Sequence, residues 1–217
     1  MGKGRVENFS DGVLAVAITL LAVDLDAGVP SNVPLATQIR EQWPSFAAYV
    51  LSFFLIGAIW FSHHFLFQLT NTIDQRLMLL NLLLLLFIVT IPYATATYAD
   101  YALEGGADAR TALLVYGGVM EGMAISRFLM AHHILRAGLI HSPVSPPESR
   151  KLLFRYRFGV LIFPINTAIA ILTSAPIMLV LHALVVVYYL GPGLRPIAVG
   201  SNPGSLTTGS TRNAPDP

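Results

Sequence analysis

Apolar residues in this chain neither alternate nor follow a single amphipathic stripe; they gather in long, nearly unbroken runs separated by short polar breaks. A hydrocarbon core of about 30 Å is crossed by a helix of about 20 apolar residues. Windows of that size fall at residues 6–25, 46–69, 76–98, 111–135, 152–173 and 175–190. The breaks GVPSNVP, LTNTID, DYALEGGADAR and GLIHSPVSPPESRK hold turn and cap residues. The TSAP between the last two windows is short enough to force an antiparallel hairpin. The pattern predicts an all-α, polytopic membrane protein with six transmembrane helices in one unit, residues 1–192. A disordered tail, residues 193–217, should follow, because SNPGSLTTGSTRNAPDP lacks apolar periodicity. A cleaved signal peptide is a rival reading of the N-terminus, since Lys3 and Arg5 precede the apolar stretch from Gly12 to Val23. Asp11 sits where an uninterrupted core should begin, and VDLDAGVP offers no clean small-x-small cleavage site, so the first span is retained.

Composition agrees with the pattern: 54% of the 217 residues are hydrophobic and 12% charged, against roughly 25% charged in a soluble domain. A net charge of +1 provides no concentrated basic surface, which argues against a nucleic-acid partner. The absence of cysteine excludes disulfides and thiolate metal sites. No G-x-x-x-x-G-K-S/T occurs, which argues against ATP-driven transport by this chain alone.

Lysine and arginine placement sets the expected orientation. With six spans, Lys3, Arg5, Arg76, Arg136, Arg150, Lys151, Arg155, Arg157, Arg195 and Arg212 share the side of both termini, against Arg40 and Arg110 opposite. Both termini should be cytoplasmic, in a multi-pass protein of the cell membrane. The other mouth carries Asp24, Asp26, Glu41, Asp100, Glu104 and Asp108, whose negative potential would concentrate cations.

The first span opens with charge. Arg5 can snorkel to headgroups, and Glu7 or Asp11 can complement the positive helix end. Alternatively, polar groups at this depth find partners on the following spans, and Trp60, His63, His64 and Asn81 lie at the same expected membrane level.

These residues resemble a known family. R-x-x-x-F-S-D at Arg5, Phe9, Ser10 and Asp11, I-G-x-x-W-x-x-H-H over residues 56–64 and L-N-L-L-L-L-L-F over residues 80–87 are, in this order, similar to the prokaryotic members of the transmembrane protein 175 family of potassium channels. The resemblance implies that Arg5, Phe9, Ser10 and Asp11 are held by residues of the second and third spans, so that Trp60, His63, His64 and Asn81 anchor a pore helix. It also implies a homotetramer whose first helices line a central pore, with Val16 at the narrow position, then Thr19 and Leu20, then Val23. The tail after Gly191 lies outside the resemblance.

Positions 16, 19, 20 and 23 share one helix face, a spacing that equally marks any buried packing stripe. In a ring of four, valine or leucine gives an ion no replacement for its hydration shell and can gate by dewetting. The hydroxyl of Thr19 has acceptor lone pairs that can stand in for water, making it the selectivity candidate. Its other reading is a hydroxyl bonded back to the carbonyl four residues earlier. The family's narrow position is usually a larger isoleucine or leucine, so Val16 implies a wider constriction or a gate shared with Leu20 or Val23. The T-V-G-Y-G carbonyl filter is absent, so any potassium preference must use side chains and should be moderate over sodium.

The pairs His63-His64 and His132-His133 point about 100° apart along a helix, so neither chelates one ion alone; a metal site would need two helices. Protonation of histidines here could modulate gating. Glu121 and Arg127 lie within the fourth span, where a charge facing lipid costs several kcal/mol. Six residues apart they diverge too far to pair, so each should have a partner elsewhere, for Arg127 near the second-span histidines. An intramembrane acid also suits a proton-coupled secondary transporter, the alternative function, and Pro92 and Pro164 are the available kinks. A non-conducting membrane scaffold is the third class. The expected function is passive potassium conduction in a lipid bilayer, not an enzyme's chemistry, with no cofactor beyond the permeant ion.

Overall fold

Backbone in hydrocarbon must satisfy its own hydrogen bonds, so apolar runs of this length become helices. The computed structural model describes residues 2–23, 25, 34–102, 104–141 and 144–191. Among them are seven helices and no strand: α1 Lys3–Val23, α2 Leu35–Glu41, α3 Trp43–Leu69, α4 Gln75–Tyr101, α5 Gly106–Arg136, α6 Pro146–Leu172 and α7 Ala175–Leu190. The tail expected to be disordered lies outside the described residues, as do Asp24, Asp26, Arg195 and Arg212.

Five helices, α1, α3, α4, α5 and α6, are long and apolar enough to cross a membrane. The sixth apolar helix, α7, has 16 residues, about 24 Å at 1.5 Å per residue, shorter than a perpendicular crossing of the core requires. Two features depart from the sequence expectation. The short α2 was not anticipated, and α5 and α6 begin five and six residues before the apolar windows, at Gly106 and Pro146. Local chemistry explains the second start: Pro146 and Pro147 occupy the first helical turn, while Ser145 and Glu148 form a reciprocal capping box.

Helices α4, α5 and α6 pack in sequence, α1 lies on α3 and α4, and α7 bridges α3 and α6. Close approach depends on small residues. A Cβ on Gly122 of α5 would collide with the Phe87 ring of α4, and one on Gly117 with Thr167 of α6. Helix α5 ends on Gly138 at φ 66°, with Leu139 N–H donating to Ile134 O over 3.1 Å, a Schellman closure. That turn aims the next residues at the α3–α4 connection. Asn71 N–H donates to Leu139 O (2.7 Å) and His141 N–H to Leu69 O (3.1 Å), tying the α3–α4 and α5–α6 connections together on one side of the bundle.

On that side Asp74 caps α4, its Oδ1 accepting from Leu77 N–H at 2.7 Å, while Oδ2 pairs with His133 Nε2 at 2.8 Å. The Leu77 N–H, followed by the His133 contact and opposed by burial, holds the Asp74 carboxyl below the usual carboxylate range. Its stabilisation is therefore complete above the ordinary carboxylate pKa and is lost as pH falls through the lowered folded value. Asp74→Ala should destabilise the fold by about 1 kcal/mol, and thermal unfolding against pH should show wild type and variant converging in acid. Parallel curves down to that range would remove Asp74 as the source.

Candidate pore helix and the polar cluster that holds it

Helix α1 has two faces of different chemistry. Val6, Ser10, Leu14, Ala17 and Leu21 are buried against α3 and α4. The opposite face is open in the subunit: Val16 is 55% exposed, Leu20 43% and Val23 70%, with Thr19 beside them. The stripe at 16, 19, 20 and 23 is thus not a packing stripe of this subunit. It faces lipid, water or another copy of the chain.

The rotation of α1 is set by a directional chain of hydrogen bonds. Ser10 Oγ donates to Val6 O at 2.9 Å, so its oxygen is free to accept from Asn81 Nδ2, also at 2.9 Å. The carbonyl Oδ1 of Asn81 can only accept, so His63 donates to it from Nε2 over 2.8 Å. Ser10, Asn81 and His63 are 0%, 1% and 4% exposed, and the His63 ring stacks on Phe67 at 4.4 Å. A second bond lies nearer the surface, where Trp60 Nε1 donates to Asp11 Oδ1 at 3.0 Å and the indole stacks on His64 at 6.0 Å. Five of the named motif residues, Ser10, Asp11, Trp60, His63 and Asn81, are joined by these bonds. His64 touches them through Trp60 and bonds Gln68 at 2.9 Å, whereas Arg5 and Phe9 lie exposed outside the network.

The Thr19 hydroxyl donates to Val16 O at 2.8 Å, one residue nearer than the back-bond expected from the sequence. That bond uses the proton and leaves the oxygen of an exposed side chain able to accept, so back-bonding and ion contact are compatible.

Arg127 is buried in α5, bonded through Nη2 to Ser62 Oγ and lying over the rings of Tyr156 (5.3 Å) and Tyr189 (5.2 Å). It thus meets α3 one residue before the histidine pair, and joins α3, α5, α6 and α7 around one guanidinium. Glu121 is not its partner: Glu121 Oε2 is buried without a hydrogen-bond partner among the described residues. His132 stacks on Phe128 at 5.7 Å. Among the described residues no three His, Asp or Glu side chains are grouped to hold a metal ion.

Sequence reasoning missed Ser62 and His182. His182 in α7 donates from Nδ1 to Met178 O at 2.9 Å between the rings of Tyr116 and Phe163 (5.3 Å each), and its Nε2 is buried without a partner among the described residues. The signal was present, since His182 is the one residue of α7 other than its two C-terminal tyrosines that carries a polar side chain.

The family described as endosomal/lysosomal potassium channel TMEM175 matches residues 5–92, which span α1, α3 and most of α4. A potassium channel of Streptomyces collinus is 40% identical over 191 residues, covering 86% of this chain and 91% of that protein. One of Chamaesiphon minutus is 34% identical over 160 residues, 72% and 78% of the two chains. The mouse endosomal/lysosomal proton channel TMEM175 is 38% identical over 116 residues, 48% of this chain and 23% of that protein. The crystal structure of a lysosomal potassium-selective channel TMEM175 homologue from Chamaesiphon minutus matches with a TM-score of 0.76 at 30% identity, covering 87% of this chain and 96% of that one. The chain is a membrane protein that belongs to the TMEM175 family of ion channels, and not an enzyme.

Proposed function

We propose that the chain is one subunit of a homotetrameric potassium channel, conducting passively through a pore lined by Val16, Thr19, Leu20 and Val23 of four α1 helices. The observation that carries this reading is the open face of α1, where three apolar residues and one hydroxyl are left uncovered while the other face is tied down by buried hydrogen bonds. The Streptomyces and Chamaesiphon relatives, named as potassium channels, support potassium as the permeant ion. Selectivity over sodium is moderate in this account, because a hydroxyl ring offers an ion fewer oxygens than stacked carbonyl rings do. Val16 and Leu20 form the hydrophobic constriction.

Both termini are cytoplasmic in this account. The bond from Trp60 to Asp11 and the paired connections bring the start of α1 to the side of Arg76, Arg136, Arg150 and Lys151, which the positive-inside rule assigns to the cytoplasm. The unpartnered oxygen of Glu121 favours a second reading, a proton-coupled carrier.

Ion flux into liposomes holding the purified protein separates the two. The channel reading predicts potassium flux down its gradient with no imposed proton gradient, larger than sodium flux under an equal gradient. Thr19→Ala should lower that ratio. Flux that appears only with a proton gradient would replace the channel by the carrier, and an unchanged ratio in Thr19→Ala would remove Thr19 from the filter.

The anchoring role of the polar cluster predicts a different failure. Asn81→Leu strands the His63 donor in a buried site, which costs about 1–3 kcal/mol, so the variant should lose thermal stability and assembled protein before it loses ion preference. A fully assembled Asn81→Leu channel with altered selectivity would contradict the anchoring role.

A further inference from the structure

The ends of α4 and α5 enclose a basic cleft of about 340 Å³, lined by Arg76, Leu80, Leu129, His132, His133 and Arg136. The four α5 residues follow i, i+3, i+4, i+7 and share one face. Among the described residues neither arginine has a carboxylate within ion-pairing distance. Asp74 bonds Leu77 N–H and His133, so it offers Arg76 a longer-range attraction and no direct ion pair. Two guanidiniums lining one small cleft repel each other unless an anion sits between them, and their planar forks match phosphate oxygens.

The rest of the lining selects among phosphates. Leu80 and Leu129 form an apolar wall, and the exposed Leu83, one turn further along α4 on the face of Leu80, extends it. The cleft lies at the ends of two membrane-length helices, the level at which headgroups sit. A small soluble phosphate would satisfy the arginines and leave this wall uncovered.

We propose that the cleft binds the phosphate of an anionic phospholipid, with Arg76 and Arg136 on the phosphate oxygens, His132 as a further donor and an acyl chain along the α4 leucines. The site holds this lipid whether or not α1 lines a pore, so its test reads binding alone. The whole chain in detergent is titrated with short-chain phosphatidylglycerol, short-chain phosphatidylcholine and inorganic phosphate, and bound ligand is counted by native mass spectrometry. Phosphatidylglycerol should bind wild type about tenfold or more tighter than Arg76→Gln/Arg136→Gln, each single variant should lose part of that, and phosphatidylcholine should be weak and indifferent to the substitutions. Arg150→Gln/Lys151→Gln, on the same side outside the cleft, should bind as wild type does. Equal phosphatidylglycerol affinity in wild type and the Arg76/Arg136 variant overturns the proposal, as does an equal loss in the Arg150/Lys151 variant, which would reduce the effect to general surface charge. Inorganic phosphate that displaces the lipid at comparable affinity would make this an anion site and not a lipid site.

Discussion

The hydrogen bonds from His63 to Asn81 and from Asn81 to Ser10 are the constraint on which the rest of the arrangement depends. In a bilayer the apolar effect does not choose which side of a greasy helix faces protein, because lipid is as apolar as leucine. Polar groups make that choice, since a buried donor without an acceptor is costly. Ser10 spends its own proton on Val6 O and must accept from Asn81, while Asn81 must accept from His63, so the chain has one direction and α1 one rotation. Turning α1 by a single residue, about 100°, would break it. The same rotation leaves Val16, Leu20 and Val23 outside, so the open face is a consequence of the clamp on the other side.

A second polar node does comparable work for the outer helices. Arg127 sits between Ser62 of α3, Tyr156 of α6 and Tyr189 of α7, so that one buried cation on α5 fixes the positions of three neighbours. Its charge is dispersed over aromatic faces and one hydroxyl, an arrangement suited to a guanidinium and not to an ammonium. Together the two nodes account for how helices with little amphipathicity acquire definite faces.

Much of this was legible in the sequence because polar residues are conspicuous in apolar runs. Ser10, Asp11, Trp60, His63 and Asn81 stood out for that reason, and the apolar windows located the crossing helices to within a few residues at most of their ends. Polar helix starts were harder to read. Pro146, Pro147 and Glu148 look like a loop until the Ser145 box is recognised, and GADAR at the start of α5 has no apolar signal of its own. Ser62 was hidden because a serine back-bonded to Ile59 O resembles any membrane-helix hydroxyl, and only the fold brings Arg127 to it. His182 stands alone in α7, with no second histidine or polar motif beside it, and its ring partners Tyr116 and Phe163 come from other helices. The division of α1 into a held face and an open face was not decidable from spacing, since 16, 19, 20 and 23 describe a packing stripe equally well.

The central claim is that the open face of α1 meets the ions. The chain contains no cysteine, so a single introduced thiol reports on its own surroundings. Potassium flux through liposomes carrying Thr19→Cys, with Ala17→Cys on the buried face as its counterpart, would be measured before and after a charged, membrane-impermeant thiol reagent. The account predicts that the reagent blocks flux through Thr19→Cys and leaves Ala17→Cys untouched. Complete labelling of Thr19→Cys with undiminished flux would contradict it.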